Sequence, residues 1–385
     1  MALLDILLRR GIIQLPKSYL NEFIANSQNP PGNDLVMRAC YKATSKLLKE
    51  DPKFKDFISL IIAKRPLEPK HFVNLYFRSI QYLELFVRNN PDYPDKFTKQ
   101  NMWKDELYNF MSLYLEEWKE LLLKKDTTTT IYQRYAGPKI VLNVLFPQKP
   151  LRLADFGCGG NYGLPGISDN ISFEDIVDKT SQALATKFVS QKVNLLEGLA
   201  VDKEDLYSPK SKAWRLACSF YPKELKNMPQ VSAFERKIKD ANRVRFLQVD
   251  LSQVKRKNGF IEKIPAAYFD GVILSTIMYQ LSPREQKRVF KIAKESVNPK
   301  GLLVIQDFAI KDKKDPKKLD FNVNWFERPF TYRTFIAGKL TGWEIKELLQ
   351  WQNGRCREVR PGKDFNQFLQ HQSLFPSQKR MFLRL

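Results

Sequence analysis

Three glycines stand within four positions in ADFGCGGNYG (154–163): Gly157, Gly159 and Gly160. They follow a short apolar run that carries Asp155. With no Cβ in the way, such a turn lets the backbone come close to a ligand. The nicotinamide pattern G-x-G-x-x-G is broken, because Tyr162 takes the third glycine's place, and no G-K-[ST] follows to make a phosphate loop. The pattern that fits is D-x-G-x-G, with Cys158 and Asn161 in the same turn. It suits a cofactor with no phosphate needing a helix N-terminus. Two further carboxylates close apolar runs downstream. Asp178 ends ISFEDIVD, where a carboxylate can accept both hydroxyls of a ribose. Asp250 ends RVRFLQVD, where it can reach the amino edge of an adenine whose face Leu251 covers. Ser275 and Thr276 close the next run, FDGVILST.

Elements must hold these groups together. From 151 onward, LRLADFG, ISFEDIVD, RVRFLQVD, GVILSTI and LLVIQDF alternate with helical stretches. Their continuous apolar character suits strands buried on both faces, and the alternation predicts a parallel α/β sheet. Ligands bind such sheets at the carboxyl ends of the strands, where all these polar groups fall. Residues 1–130 read differently. DELYNFMSLYLEEWKELLLKK (105–125) has its apolar residues at helical spacing, and HFVNLYFRSIQYLELFV (71–87) is apolar around much of its circumference, as a central helix is. TTTT (127–130) reads as the junction.

The ordered set of motifs resembles class I S-adenosylmethionine-dependent methyltransferases. The matching pieces are ADFGCGGN, IVDKTSQALATKF, VRFLQVDLS and FDGVILSTIMYQLSPREQKRVFKIAKESVNPKGLLVIQDF, over about 151–351. The resemblance implies a Rossmann-like seven-stranded sheet with a late antiparallel strand, S-adenosylmethionine as cofactor, and a cofactor site at Asp155, Gly157, Cys158, Gly159, Asn161, Asp178, Asp250, Leu251 and Ser275. It makes GWEIKELLQW (342–351) the sixth strand. The turn Asn353-Gly354 leaves CREV (356–359) or the terminal RMFLRL as the last strand. Two departures stand out. Asn161 replaces a third glycine, and the link from 179 to 242 is long. The reading is therefore a helical region, 1–130, roofing the acceptor site or mediating a homodimer, and a methyltransferase domain, 131–385, with an insertion around 191–242. That insertion, rich in Trp214, Phe220 and Tyr221, is expected to act as a lid, and YQRYAGPKI (132–140) to lie near the cofactor.

Methyl transfer needs an aligned nucleophile and excluded water, a general base for some acceptors, and no metal. Acceptor-side candidates are Tyr279, Gln280, Asp307, His371 and the aromatic segment NWFERPFTYR (324–333). STIMYQ stands where D/N-P-P-[YFW] would mark methylation of an exocyclic amine, and no Pro-Cys pair is placed for C5-pyrimidine chemistry. The expected reaction is transfer to O or N of a small molecule or biosynthetic intermediate. RNA, or a protein or acidic carrier protein, is the alternative partner, because the formal net charge is +22. That charge is dispersed; the densest runs are KDKKDPKK (311–318) and VKRK (254–257). Four cysteines without C-x-x-C spacing and two histidines argue against a disulfide or zinc scaffold and fit a reducing, cytoplasmic setting. No apolar run approaches the roughly 18 residues of a membrane span.

Overall fold

The computed structural model describes residues 14–128, 131–228, 243–254, 263–321 and 330–370. His371, Trp325, Phe326 and the RMFLRL ending lie outside these residues, as does the start of the chain through 13. The chain divides into two units. One takes residues up to 128 together with 209–228; the other takes 131–208 and 243–370.

The first unit is helical. Asp34 and Asp51 start the helices Leu35–Glu50 and Pro52–Lys64 by accepting backbone N–H groups at Val36 (2.9 Å) and Phe54 (3.0 Å). Helix Pro69–Tyr82 runs through the middle, buried along nearly its whole length, as its all-round apolar sequence requires. Phe23, Phe72, Tyr76, Trp103 and Trp118 fill the space around it. Trp118 closes its polar end on Ser79 Oγ at 2.9 Å.

The segment expected to be a lid belongs to this core. Helix Pro209–Ser219 buries Trp214 and Cys218 among the helical unit's aromatics. Its last carbonyls, Ala217 and Phe220, accept from Arg78 and Gln81 of the central helix. Asp34 accepts from Lys223 N (3.0 Å), and Trp214 donates to Asp126 O (2.8 Å). A helix with its indole in a core and its C-terminal carbonyls capped is a built part of the fold, not a segment awaiting a ligand.

The second unit holds a mixed sheet. Among the described residues it has nine strands rather than the expected seven. They are β1 Leu151–Phe156, β2 Val177–Asp178, β3 Leu195–Asp202, β4 Val244–Gln248, β5 Phe269–Ser275, β6 Val297–Phe308, β9 Tyr332–Gly338, β10 Lys346–Trp351 and β11 Glu358–Pro361, while β7 Ile310–Lys311 and β8 Leu319–Asp320 make a separate hairpin. The spatial order is β2-β11-β10-β9-β6-β5-β1-β3-β4. Strands β4, β3, β1, β5 and β6 are parallel neighbours, and β9, β10 and β11 continue as an antiparallel meander. The late antiparallel strand is thus β9, and GWEIKELLQW supplies β10 one place further out. Asn353 turns with φ 52° between β10 and β11, and of CREV only Glu358 and Val359 fall in β11, which runs on to Pro361.

One strand assignment is overturned. ISFEDIVD contributes only Val177 and Asp178, and these pair with Glu358 and Val359 at the far edge of the sheet. Gln133 explains why the rest of that run makes no ladder: its side-chain amide takes both Glu174 N (2.8 Å) and Glu174 O (3.1 Å). The place beside β1 is filled by β3, with Asp155 opposite Ala200 and Phe156 opposite Val201. Residues 195–202, expected to lie in an insertion, are a central strand.

Candidate cofactor and acceptor site

The glycine turn leaves β1 at the sheet's carboxyl edge. Gly157 (φ 78°) and Gly159 (φ 57°) take left-handed backbone, and a Cβ at Gly157 would stand 2.7 Å from Ile277 Cδ1. Asn161 takes φ 55°, the conformation that asparagine tolerates best among residues with a Cβ, which accounts for its replacing a glycine. The turn is pinned to β3 by Gly157 N and Cys158 N, both donating to Val201 O (2.8 and 3.1 Å).

Asp202 ends β3 beside this turn. Its Oδ2 accepts from Gly159 N at 2.8 Å and its Oδ1 from Glu204 N at 3.1 Å. A carboxylate has about four acceptor positions, so two remain. Burial nonetheless pushes its pKa up. Asp202, not Asp178, is the carboxylate that stands beside the glycine turn. Asp178 spends both oxygens locally, Oδ1 on Thr180 N (2.8 Å) and Thr180 Oγ1 (2.6 Å), Oδ2 on Thr186 N (2.7 Å) and Thr186 Oγ1 (3.0 Å). It organises the start of helix Leu184–Val189. Asp250 follows β4, with Oδ1 holding Ser252 N (2.9 Å) and Ser252 Oγ (2.7 Å), and Leu251 is buried next to it. Neighbouring strands lie about 4.8 Å apart, so Asp250, Asp202 and the glycine turn span about 10 Å, room for a base and a ribose laid end to end.

Asp155 is wholly buried inside β1. Tyr135, in the segment expected near the cofactor, donates to its Oδ2 at 2.7 Å, while Oδ1 has no hydrogen-bond partner. Burial lifts its pKa to about 7, opposed by the Tyr135 hydrogen bond and reinforced by the charge of Asp202. Unfolded, the same carboxyl ionises near 3.8. Between these values the unfolded chain has released a proton that the folded chain keeps, so stability falls as pH rises through that window and levels off above it. Asp155→Asn removes this contribution. The difference in unfolding free energy between wild type and variant is expected to drop between about pH 4 and pH 7; a pH-independent difference in urea titrations would refute the burial argument.

On the other side of the turn, β5 ends at Ser275 and β6 at Asp307 and Phe308. Asp307 is wholly buried and turns both oxygens onto backbone, Oδ2 accepting from Met278 N (2.9 Å) and Oδ1 from Phe308 N (2.7 Å). It ties down the loop after β5 and faces no open space, so a base role does not follow from its geometry. Burial raises its pKa to about 7. Tyr279 packs edge-on against Phe308, with ring centroids 5.4 Å apart. Arg134 escaped the sequence reading of the site. Its Nη1 donates to Thr276 Oγ1 (2.9 Å) and its Nε to Gly354 O (3.2 Å). Its signal was its place in YQRYAGPKI, one residue before the tyrosine that reaches Asp155.

The sheet is Rossmann-like, with a glycine turn at the carboxyl end of a central first strand. No family model matches the chain, and no curated protein matches it. Among solved structures, the cyclase SpnF is similar at 15% identity over 51% of this chain and 54% of its own, with a TM-score of 0.28. An O-methyltransferase family protein from Burkholderia thailandensis is similar at 14% identity over 47% and 40%, TM-score 0.27. PKMT2 from Rickettsia typhi in complex with AdoHcy is similar at 14% identity over 46% and 26%, TM-score 0.24. This chain covers little more than half the length of the first of these and about a quarter of the last. Among the described residues, no helix is long and apolar enough to cross a membrane.

Proposed function

We propose that this chain binds S-adenosylmethionine along the carboxyl ends of β4, β3, β1 and β5 and transfers its methyl group to an O or N atom of a small molecule or biosynthetic intermediate. The observation that carries the reading is the 2.8 Å bond from Gly159 N to Asp202 Oδ2. It fixes a glycine cradle and a carboxylate with spare acceptor positions at one point of the sheet edge. Asp202 would take the ribose hydroxyls. Asp250 would use its free Oδ2 for the adenine amino group, with Leu251 against the ring. Gly157 and Gly159 would let the backbone pass close to the amino-acid part, and the partnerless Oδ1 of Asp155 lies behind them. When bound, the cofactor supplies an electrophilic methyl group on a sulfonium, a good leaving group. What this chain must add is alignment and exclusion of water, which rigid strand ends supply. Asp307 contributes as a positioning residue, by holding the loop that carries Tyr279.

Calorimetry with S-adenosylhomocysteine tests the cofactor reading, and binding in the micromolar range is expected. No heat and no thermal shift at saturating ligand would rule it out. The acceptor class is read by incubating the protein with methyl-labelled S-adenosylmethionine and host extract, then separating small molecules, RNA and protein. Label in the small-molecule fraction is expected. Label in RNA, with binding that weakens steeply as salt rises, would favour the basic surface as the acceptor-binding face.

A further inference from the structure

We infer that the lysine-rich hairpin β7–β8, with the end of helix Pro283–Ser296 and the turn before β10, forms a docking face for the phosphate backbone of a polynucleotide, apart from the strand ends that meet at the glycine turn. The inference does not rest on the methyltransferase reading. In sequence, KDKKDPKK (311–318) is a basic run diluted by aspartates. The fold sorts the two signs. Asp312 Oδ1 accepts from Lys314 N (2.7 Å) and Asp315 N (2.9 Å), and Asp315 Oδ1 accepts from Lys317 N (2.9 Å). The two carboxylates build the turn, and Lys313, Lys314, Lys317 and Lys318 are exposed around it. Of these four, among the described residues, only Lys318 has an ion-pair partner, Asp315 at 3.0 Å.

Further cations reach the same place from elsewhere in the chain. Ile345 N donates to Pro316 O (2.9 Å), which seats the hairpin tip beside the start of β10. Lys294, near the end of helix Pro283–Ser296, has its Nζ 5.5 Å from the Phe290 ring centroid and 5.1 Å from that of Trp343. Burial, and then the charge of Lys317, lowers its pKa. Trp343 takes φ 66°, a conformation that a bulky residue seldom adopts, and its N–H is held by Gly338 O (2.9 Å). Glu344 is shared between Lys311 (3.5 Å) and Lys346 (3.1 Å). Across 290–296, 310–320 and 338–346 nine lysines stand against five carboxylates, so ion pairing leaves a positive excess. Like charges brought together repel, and a bound polyanion relieves that repulsion.

The occupant follows from the residue types. Every cation in these three segments is a lysine, a compact charge on a flexible stem that meets phosphates in many geometries; a fixed pattern of carboxylates would favour the arginine fork. Lysine is also depleted where protein meets protein. The tip, 312–318, offers no apolar side chain but Pro316 to enter a bilayer. A phosphodiester backbone requires neither fork nor apolar anchor. The register keeps this face apart from the glycine turn. The hairpin leaves the carboxyl end of β6 and folds back, so that its tip lies beside Lys346, level with Ile336 and Val304, and Trp343 lies beside Gly338, level with Leu302. The glycine turn leaves β1 after Phe156, level with Leu274 and Ile305. A strand held by these lysines is therefore docked behind the strand ends, and its binding alone does not make it the methyl acceptor.

The test uses the full chain and a fluorescently labelled single-stranded RNA of about 16 nucleotides, followed by anisotropy as salt is varied. Replacing Lys313, Lys314, Lys317 and Lys318 together by Gln should weaken binding more than about tenfold and flatten the slope of log affinity against log salt by about 2–3. A second variant loses the same charge elsewhere, with Gln at the exposed Lys42, Lys49, Lys53 and Lys55 of the helical unit, and should bind within about threefold of wild type. DNA of the same length should bind within about threefold of RNA, because contacts to the backbone carry no base information. Melting curves of both variants should match wild type, since only exposed side chains change. No RNA binding by wild type, or equal weakening in the two variants, would overturn the inference, the latter leaving only net charge. So would RNA that S-adenosylhomocysteine displaces, which would put the strand in the transfer site, or phosphatidylserine vesicles that bind through the same four lysines and that RNA does not displace.

Discussion

Asp202→Ala should cost about 2–3 kcal/mol of affinity for S-adenosylhomocysteine, a fall of some thirty- to a hundredfold or more, because two charge-assisted hydrogen bonds to a ribose are lost together. The same variant frees Gly159 N, so the turn should also loosen, and Asp202→Asn should fall between the two proteins. Asp178→Ala is the control that gives the result its meaning. It removes four hydrogen bonds around Thr180 and Thr186, and should lower stability by about 1 kcal/mol, as loss of a helix-starting side chain does, while leaving cofactor affinity within about twofold. Calorimetry on both variants decides the matter. A folded Asp202→Ala protein with wild-type affinity would refute the site assignment, and a large loss in Asp178→Ala would return the ribose role to the far edge of the sheet.

The second large effect concerns truncation. A chain that starts at residue 131 keeps the whole sheet unit but also keeps helix Pro209–Ser219, whose core partners are gone. Trp214 would be stripped of its neighbours, and truncating such a side chain in place typically costs about 3–5 kcal/mol; here it would be presented to solvent with Cys218 and two uncapped carbonyls. This fragment is expected to aggregate or to bind hydrophobic dyes strongly. Replacing 209–228 in the same fragment by a short Gly-Ser linker is expected to restore a soluble, cooperatively melting protein. Light scattering and calorimetric melting compare the two. A well-behaved fragment from 131 onward, with the helix retained, would show that the helix is not an obligate part of the first unit.

These expectations show where the sequence was legible. β1, β5 and β6 lie in the middle of the sheet, with every residue of β5 buried. Their side chains face protein on both sides, so they read as continuous apolar runs, and Asp155 could be placed on β1, Ser275 on β5, and Gly157 and Gly159 in the turn after β1. The second strand failed for a local reason. LLEGLAVD carries Glu197 and Gly198 in its middle and an exposed Leu196, at 55%, because β3 is covered less completely than β1. ISFEDIVD offered a similar run ending in aspartate and came first in the chain. Nothing in either run states which partner it has, since pairing depends on Gln133 and β11, remote in sequence. β9 was hidden for a different reason. YRTFIAG follows an aromatic segment, and Tyr332 was counted with it among the acceptor-side candidates rather than as part of a strand; it stands in a ladder opposite Phe308. Arg134 shows the limit for the site itself: a single charged residue ahead of a helix becomes informative only once Thr276, Gly354 and Tyr332 are brought around it.

The placement of helix Pro209–Ser219 also bears on how the protein is made. During synthesis the first unit cannot finish its core when its own helices have emerged, because Trp214, Cys218 and the amide that meets Asp34 are still to come. By the time they do, β1 and β3 have been released, yet β3 has no β4 beside it and β1 no β5. Neither half can therefore be completed before the other is begun. The usual order, in which an N-terminal domain folds fully before the next one appears, is closed to this chain. Apolar surface from both halves must stay exposed together for a time, and that interval is where a chaperone would have its largest effect on yield.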